Sequence, residues 1–88
     1  MEVKQAVEVA KKYVADLFID EGIANLGLEE VEKKGTYWNI TIGFSRPWDS
    51  NIGAVLGGVR SRTYKTIMIN DQDGHILAVK NRIFSEER

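Results

Sequence analysis

The chain of 88 residues contains no cysteine, and this absence excludes several kinds of chemistry together. Disulfide bonds, thiolate nucleophiles and zinc sites built on cysteine all require that residue. Histidine is nearly absent as well, since the sequence has only His75, and its place directly after a turn is typical of a solvent-facing strand residue. With so few ligand types available, we expect neither a metal site nor a cofactor.

Long apolar runs and a surplus of one charge sign are also missing. No segment approaches the roughly 18 consecutive apolar residues of a membrane-spanning helix. Charged residues follow Met1 closely, unlike the apolar region of an export signal. We therefore expect a cytoplasmic protein without a membrane partner. The formal net charge is −1, which is too small to predict a polyanion as the partner.

What the sequence does contain is enough apolar surface for one small core. Hydrophobic residues make up 43% of the chain, an ordinary share for a globular protein, so residues 1–88 are expected to form a single domain. From Val3 to Phe18, apolar side chains recur every three or four positions. This spacing predicts an amphipathic helix over residues 2–20. Gly22 is suited to end it, because glycine readily adopts the left-handed conformation.

Four further segments have the composition of β-strands, and they are residues 26–31, 36–45, 62–69 and 75–84. The second alternates apolar and polar residues from Trp38 to Phe44, which predicts that its even-numbered side chains face the core. The first alternates imperfectly, because Leu28 and Val31 share a face only if a bulge intervenes. The sequence thus predicts an α+β fold in which the N-terminal helix packs on a four-stranded antiparallel meander sheet.

The connection between the second and third strands, residues 47–61, is long for so small a domain. Long loops in compact domains are often functional. Its glycines have the outer spacing of a phosphate-binding loop, but Val59 and Arg60 stand where that motif has lysine and a hydroxyl residue. Nothing in the sequence places a hydroxyl and a carboxylate around His75 for nucleophilic catalysis. The sequence therefore predicts a protein that is not an enzyme.

A candidate interaction surface combines this loop with one face of the sheet. On the third strand, Ile67 and Ile69 occupy one face, and the other face is also partly apolar. If the helix covers only the isoleucine face, the second face is left to meet solvent or another molecule. Arginines and a tryptophan bracket the loop beside it. The residues assigned to this surface are Arg46, Trp48, Arg60, Arg62, Tyr64 and Met68.

Two functions fit this surface. The first is that of a binding or accessory module, which contacts a protein partner or a second copy of itself through the partly apolar sheet face. The second is binding of an anion or a single-stranded nucleic acid by the arginines, with Trp48 as a stacking platform. Both compete with a simpler interpretation, in which the charges are ordinary solvated groups and the apolar residues pack within one chain.

The closing hairpin supplies a family resemblance. It runs from Tyr64 to Asp71 and then from Gly74 to Leu77, and it joins an aromatic strand to a second apolar strand through an aspartate and a glycine. Together with the N-terminal helix and the Tyr37-Trp38 strand, this pattern resembles PepSY-type domains of the cystatin-like architecture. The resemblance implies a non-catalytic domain that contacts other proteins. Such domains are often linked to the restraint of peptidase activity.

Two short segments also resemble cystatins. Residues 39–43 imitate their Gln-x-Val-x-Gly segment, and Pro47-Trp48 imitates their Pro-Trp pair. The two segments are too close together for separate hairpin loops, so no inhibitory residue is transferred to this chain. A peptidase-inhibitor-like domain is the third functional alternative.

Overall fold

The structure is a computed structural model, and it describes residues 1–47 and 62–83. The elements are α1 Val3–Leu17, a 3-10 turn Ile19–Glu21, β1 Ala24–Lys34, β2 Tyr37–Ser45, β3 Thr63–Asn70 and β4 Ile76–Arg82. Neighbouring strands pair antiparallel in the order β1-β2-β3-β4. The predicted α+β fold, an N-terminal helix on a four-stranded antiparallel meander, is confirmed. The cystatin-like label stays a prediction.

Helix α1 begins and ends at residues suited to those positions. At its start, the side chain of Gln5 accepts a hydrogen bond of 2.8 Å from the backbone N–H of Glu2. This bond satisfies one of the donors that a helix N-terminus leaves unpaired. The helix ends at Leu17, before the predicted Asp20, because the chain tightens there into the 3-10 turn. Gly22 then adopts the predicted left-handed conformation, with φ of 64°.

The core lies between α1 and the face of the sheet that the helix covers. On β2, Ile40, Ile42 and Phe44 are fully buried there and Trp38 is partly buried, which confirms the predicted inward face. Ile67 and Ile69 of β3 join them. The helix contributes Ala6, Ala10 and Val14, all with no exposed surface. Because two of these three are alanines, the helix backbone can approach the sheet closely, with no space for larger side chains.

Strand β1 is longer than the predicted segment 26–31 and contains two irregularities. One is a bulge at Glu29. Leu28 pairs with Ile42 and Glu30 pairs with the adjacent Thr41, so β1 has one extra residue between two consecutive pairs. The bulge places Leu28 and Val31 on the helix side together, which is the condition under which the sequence pattern lets them share a face, and they remain 43% and 40% exposed there. It also turns Glu30 to the opposite face of the sheet, where it contributes to the site described below.

Candidate functional site

The sheet has a second face, opposite α1, which we call the open face. Within residues 1–47 and 62–83, no helix or strand covers it. An open groove of about 430 Å³ lies on it. Its lining residues come from all four strands and are Glu30, Val31, Glu32, Asn39, Thr41, Thr66 and Arg82. The groove is therefore mainly polar, with acidic groups at one side and a basic group at the other.

One row of residues crosses the open face from edge to edge. Strand pairing places Glu30 of β1 opposite Thr41 of β2, and Thr66 of β3 lies opposite both Thr41 and Lys80 of β4. The hydroxyl oxygens of Thr41 and Thr66 are 2.8 Å apart and share a hydrogen bond. Although Thr41 faces away from the core, only 2% of it is exposed. The row thus has an acid at one end, a base at the other and a neutral hydroxyl pair between them.

A guanidinium–carboxylate bridge spans this row. Arg82 of β4 donates through Nη2 and Nε to Glu30 Oε1 at 3.0 and 3.2 Å, and Nη2 also lies 3.2 Å from Oε2. The two residues sit on opposite edge strands, so their side chains reach across about 14 Å of sheet. Both are close to half exposed, and such a pair contributes at most about 1 kcal/mol to stability. Its more important effect is to cover the threonine pair on the side of the open face.

Two of the sequence-predicted site residues lie on the open face, beside the threonine pair. Tyr64 and Met68 flank Thr66 along β3, and both are partly buried. Tyr64 is opposite Arg82 on β4, and Met68 is opposite Ala78. The centre of the open face therefore combines hydroxyl groups with an aromatic and a thioether side chain.

Arg46 lies on the other side of the sheet. Its Nε donates to Glu21 Oε1 at 2.7 Å, and its guanidinium stacks 5.5 Å from the ring centroid of Phe44 and 5.9 Å from that of Phe18. Contacts of this kind combine a charge pair with a cation–π interaction. Arg46 therefore fastens the 3-10 turn to the core, and it does not share a surface with Tyr64.

Arg62 lies at one end of the open face, next to β1. Its Nη2 donates to the backbone oxygen of Asn25 at 2.9 Å and lies 3.4 Å from Glu29 Oε2. Both side chains cross over Gly43, where an added Cβ would come within 3.0 Å of Arg62 Nη2 and 2.7 Å of Glu29 Oε2. Glycine at this position makes room for the pair. Arg62 is thus held by β1 and carries a neighbouring negative charge.

The structure therefore divides the predicted surface. It brings Arg62, Tyr64 and Met68 to the open face and places Arg46 on the helix side. Trp48 and Arg60 lie outside the described residues, as does the rest of the loop after Pro47. The strand predicted to reach residue 84 ends at Arg82, within the described part of the chain.

The threonine pair and the bridge above it were not among the predicted site residues. One signal for them was present, because strict alternation in β2 and β3 assigns Thr41 and Thr66 to the same face. The bridge had no such signal. Glu30 and Arg82 are 52 positions apart, and they meet only because the meander places their strands at opposite edges of one sheet.

A second cluster, built around Asp71, holds the hairpin ends together. Asp71 Oδ1 accepts a 2.8 Å hydrogen bond from the indole Nε1 of Trp38, and Lys33 Nζ lies 3.5 Å from Oδ2. The amino nitrogen of Met1 is 3.6 Å from Oδ1. The hydrogen bond from Trp38 lowers the pKa of Asp71, and the two positive charges lower it further, against a partial loss of hydration that raises it.

This shift predicts a pH dependence of stability. Because the pKa of Asp71 is lower in the folded chain than in the unfolded one, the carboxylate stabilises the fold at neutral pH, and the effect is lost as pH falls through the folded pKa. We expect Asp71→Asn to lower the urea midpoint of unfolding at pH 7. The difference from the parent chain should shrink as pH is lowered from about 5 to about 2. The amide oxygen can still accept from Trp38, so the variant isolates the charge.

The matched control is Asp16→Asn on the outer face of α1. Asp16 pairs with Lys12 at 3.2 Å in an exposed contact, which is worth only about 0.3–0.5 kcal/mol. A difference between Asp71→Asn and the parent that persists unchanged at low pH would contradict this account of the cluster.

The remaining observations bear on the kind of site this is. Among residues 1–47 and 62–83, no group of three or more His, Cys, Asp or Glu side chains is placed to hold a metal ion. In the same part of the chain, no helix has the length and apolar character needed to cross a membrane. Comparison with protein-family models, with curated proteins and with solved structures finds no match to this chain.

Proposed function

We propose that the chain is a cytoplasmic, non-catalytic binding module whose protein partner docks on the open face of the sheet. One observation carries the proposal. A sheet face that the described residues leave uncovered combines a groove with acidic groups on β1 and basic groups on β4. The absence of cysteine fits a reducing compartment such as the cytoplasm.

The composition of the open face supports docking of a macromolecule. Protein interfaces typically have an aromatic or apolar centre and a polar, charged rim. Tyr64 and Met68 lie on a central strand with the threonine pair, and the charges of Glu30 and Lys80 lie on the edge strands. A partner could therefore bury apolar surface at the centre and find charge complements at both sides.

The groove offers less for catalysis. Chemistry on a bound substrate needs a nucleophile, or an acid and a base, beside the reacting atoms. The carboxylates that line the groove are Glu30 and Glu32, which are close together on one strand, and Glu30 is engaged by Arg82. This arrangement supports recognition better than proton transfer.

The anion-binding alternative ranks second. It depends on arginines that offer their charge to a ligand. Arg46 and Arg62 each lie against a glutamate, with distances of 2.7 and 3.4 Å. Both charges are thus partly neutralised within the chain. The peptidase-inhibitor-like alternative rests on the sequence resemblance alone.

A photo-crosslinking experiment tests the proposal. Met68 is replaced by p-benzoylphenylalanine in cells that make the protein, and Lys12 is replaced in the same way as the control, because its side chain is 79% exposed on the outer face of α1. We expect one adduct of defined mass from position 68 and none from position 12. Thr66→Arg, which fills the centre of the open face, should abolish the adduct in a chain that circular dichroism shows to be folded.

Two results would contradict the proposed function. One is equal adducts from both positions, which would mean that capture does not depend on the open face. The other is an adduct from position 68 that survives Thr66→Arg.

A further inference from the structure

We infer that the open face binds a second copy of this chain, in a two-fold dimer whose axis runs parallel to the strands. The inference rests on the proposed function, because it names the partner of the same surface. It starts from the arrangement of charge across the sheet, which is opposite in sign at the two edges.

On the open face, β1 carries two acids together with Lys34, whose Nζ lies 3.9 Å from Glu32 Oε2, and β4 carries two bases. Glu30 and Glu32 line the groove from β1. Arg82 lines it from β4, and Lys80 lies opposite the groove residue Thr66. Reversing the row from Glu30 to Lys80 therefore exchanges an acid for a base while leaving threonines at its centre. A surface of this kind is complementary to its own reversed image.

A two-fold axis parallel to the strands performs this reversal. When two sheets stack face to face about such an axis, β1 of one copy lies over β4 of the other. Glu30, still bridged to Arg82 of its own chain, then faces Lys80 of the second copy, and the threonine pairs of the two copies lie opposite each other with a bridge over each. An axis perpendicular to the strands would instead place β1 over β1, and carboxylates would oppose carboxylates. The charge pattern selects the first arrangement.

The charges also balance over the whole interface. Each copy brings Glu30 and Glu32 from β1 and Lys80 and Arg82 from β4. Lys34 and Arg62 also lie on this face, and each is paired within its own chain, Lys34 with Glu32 at 3.9 Å and Arg62 with Glu29 at 3.4 Å. A different protein would need a base over β1 and an acid over β4 at the same separation across the sheet, about 14 Å. This chain meets that requirement by itself. Its net charge of −1 adds little repulsion between copies.

The area available sets the expected strength. Four strands about 4.8 Å apart and about seven residues long give a face of roughly 19 by 23 Å. With side-chain relief, two such faces bury on the order of 1,200 Å² in total, which is the lower end of the range for specific interfaces. We therefore expect a dimer that dissociates in the micromolar range and that weakens as salt concentration rises.

The test uses two charge reversals and their mixture. In Glu30→Lys, lysine would face Lys80 of the second copy, and in Lys80→Glu, glutamate would face Glu30. Each variant alone should dimerise at least about tenfold more weakly than the parent, because two symmetry-related contacts turn from attraction to repulsion. In a mixture of the two variants both contacts are attractive again. Sedimentation equilibrium should then show a one-to-one heterodimer within about threefold of the parent affinity.

The mixture removes the main ambiguity of the single variants. Glu30→Lys also breaks the bridge to Arg82 within its own chain, but that change is identical in the variant alone and in the mixture. Recovery on mixing therefore reports only contacts between copies. Lys12→Glu on the outer face of α1 is the control, and it should dimerise as the parent does. If Glu30→Lys does not fold, Glu30→Gln takes its place. We then expect a smaller loss of dimer affinity in the variant alone and a partial recovery of affinity in the mixture.

Three results would overturn the inference. They are a parent chain that stays monomeric at all concentrations measured, single reversals that dimerise as tightly as the parent, and a mixture that fails to recover. A monomeric parent that still gives a heavier adduct with another protein from position 68 would overturn the dimer and leave the binding role intact. Loss of both the dimer and the adduct would contradict both proposals.

Discussion

Phe44→Ala is expected to lower the free energy of unfolding by about 3–5 kcal/mol. Phe44 has no exposed surface, its ring centroid lies 5.3 Å from that of Phe18, and the guanidinium of Arg46 lies over the Phe44 ring at 5.5 Å from its centroid. Truncation leaves a cavity that the sheet cannot close without losing register. Since small domains are stable by only about 5–15 kcal/mol, a large share of the total would be lost. Urea unfolding followed by circular dichroism measures the change.

Leu17→Ala is the control for this substitution. Leu17 is 49% exposed at the end of α1, so its truncation should cost less than about 1 kcal/mol. Phe44→Leu keeps most of the buried volume and should lie between the two variants. If Phe44→Ala unfolds within about 1 kcal/mol of the parent, Phe44 does not anchor the core as the structure indicates.

Ala10→Leu is expected to destabilise the chain by about 1–3 kcal/mol, even though leucine is a good helix former. Ala10 has no exposed surface and lies where α1 meets the sheet, against a core of isoleucines and Phe44. Three additional carbons at this point must push the helix away from the sheet or force neighbouring side chains out of their rotamers. The urea midpoint should fall while the slope of the transition stays the same.

The same substitution at Ala15 separates packing from helix propensity. Ala15 lies in the same helix but is exposed, so Ala15→Leu changes the intrinsic helix preference equally and adds no buried volume. It should leave stability within about 0.5 kcal/mol of the parent. Equal effects at positions 10 and 15 would contradict the close approach of α1 to the sheet.

The open face shows how far a pattern can predict a site. Alternation along the third strand was sufficient to assign Tyr64 and Met68 to the face opposite Ile67, and the structure places them there. The same alternation separates the two arginines, although both flank one loop. Arg46 follows β2 in phase with Phe44 and lies on the helix side, whereas Arg62 precedes β3 in phase with Tyr64 and lies on the open face.

Local patterns in the sequence were sufficient for the elements and for the inward side of the sheet. Three signals each depend only on residues that are close in sequence. They are the apolar spacing from Val3 to Phe18, the glycine at position 22 and the alternation from Trp38 to Phe44. Helix and strand periods are set by backbone geometry, so these segments needed no information from elsewhere in the chain. The absence of cysteine likewise excluded disulfide and thiolate chemistry from composition alone.

Only the tertiary structure decided what lies on the open face. The bulge at Glu29 turns Glu30 to the open face because it adds one residue to β1 between the pairs Leu28–Ile42 and Glu30–Thr41. The bridge from Glu30 to Arg82 then depends on three successive strand registers, each fixed by packing between distant parts of the chain. Pairing between distant strands leaves no local signature in the sequence. The two charged edges from which we infer a dimer follow from that register.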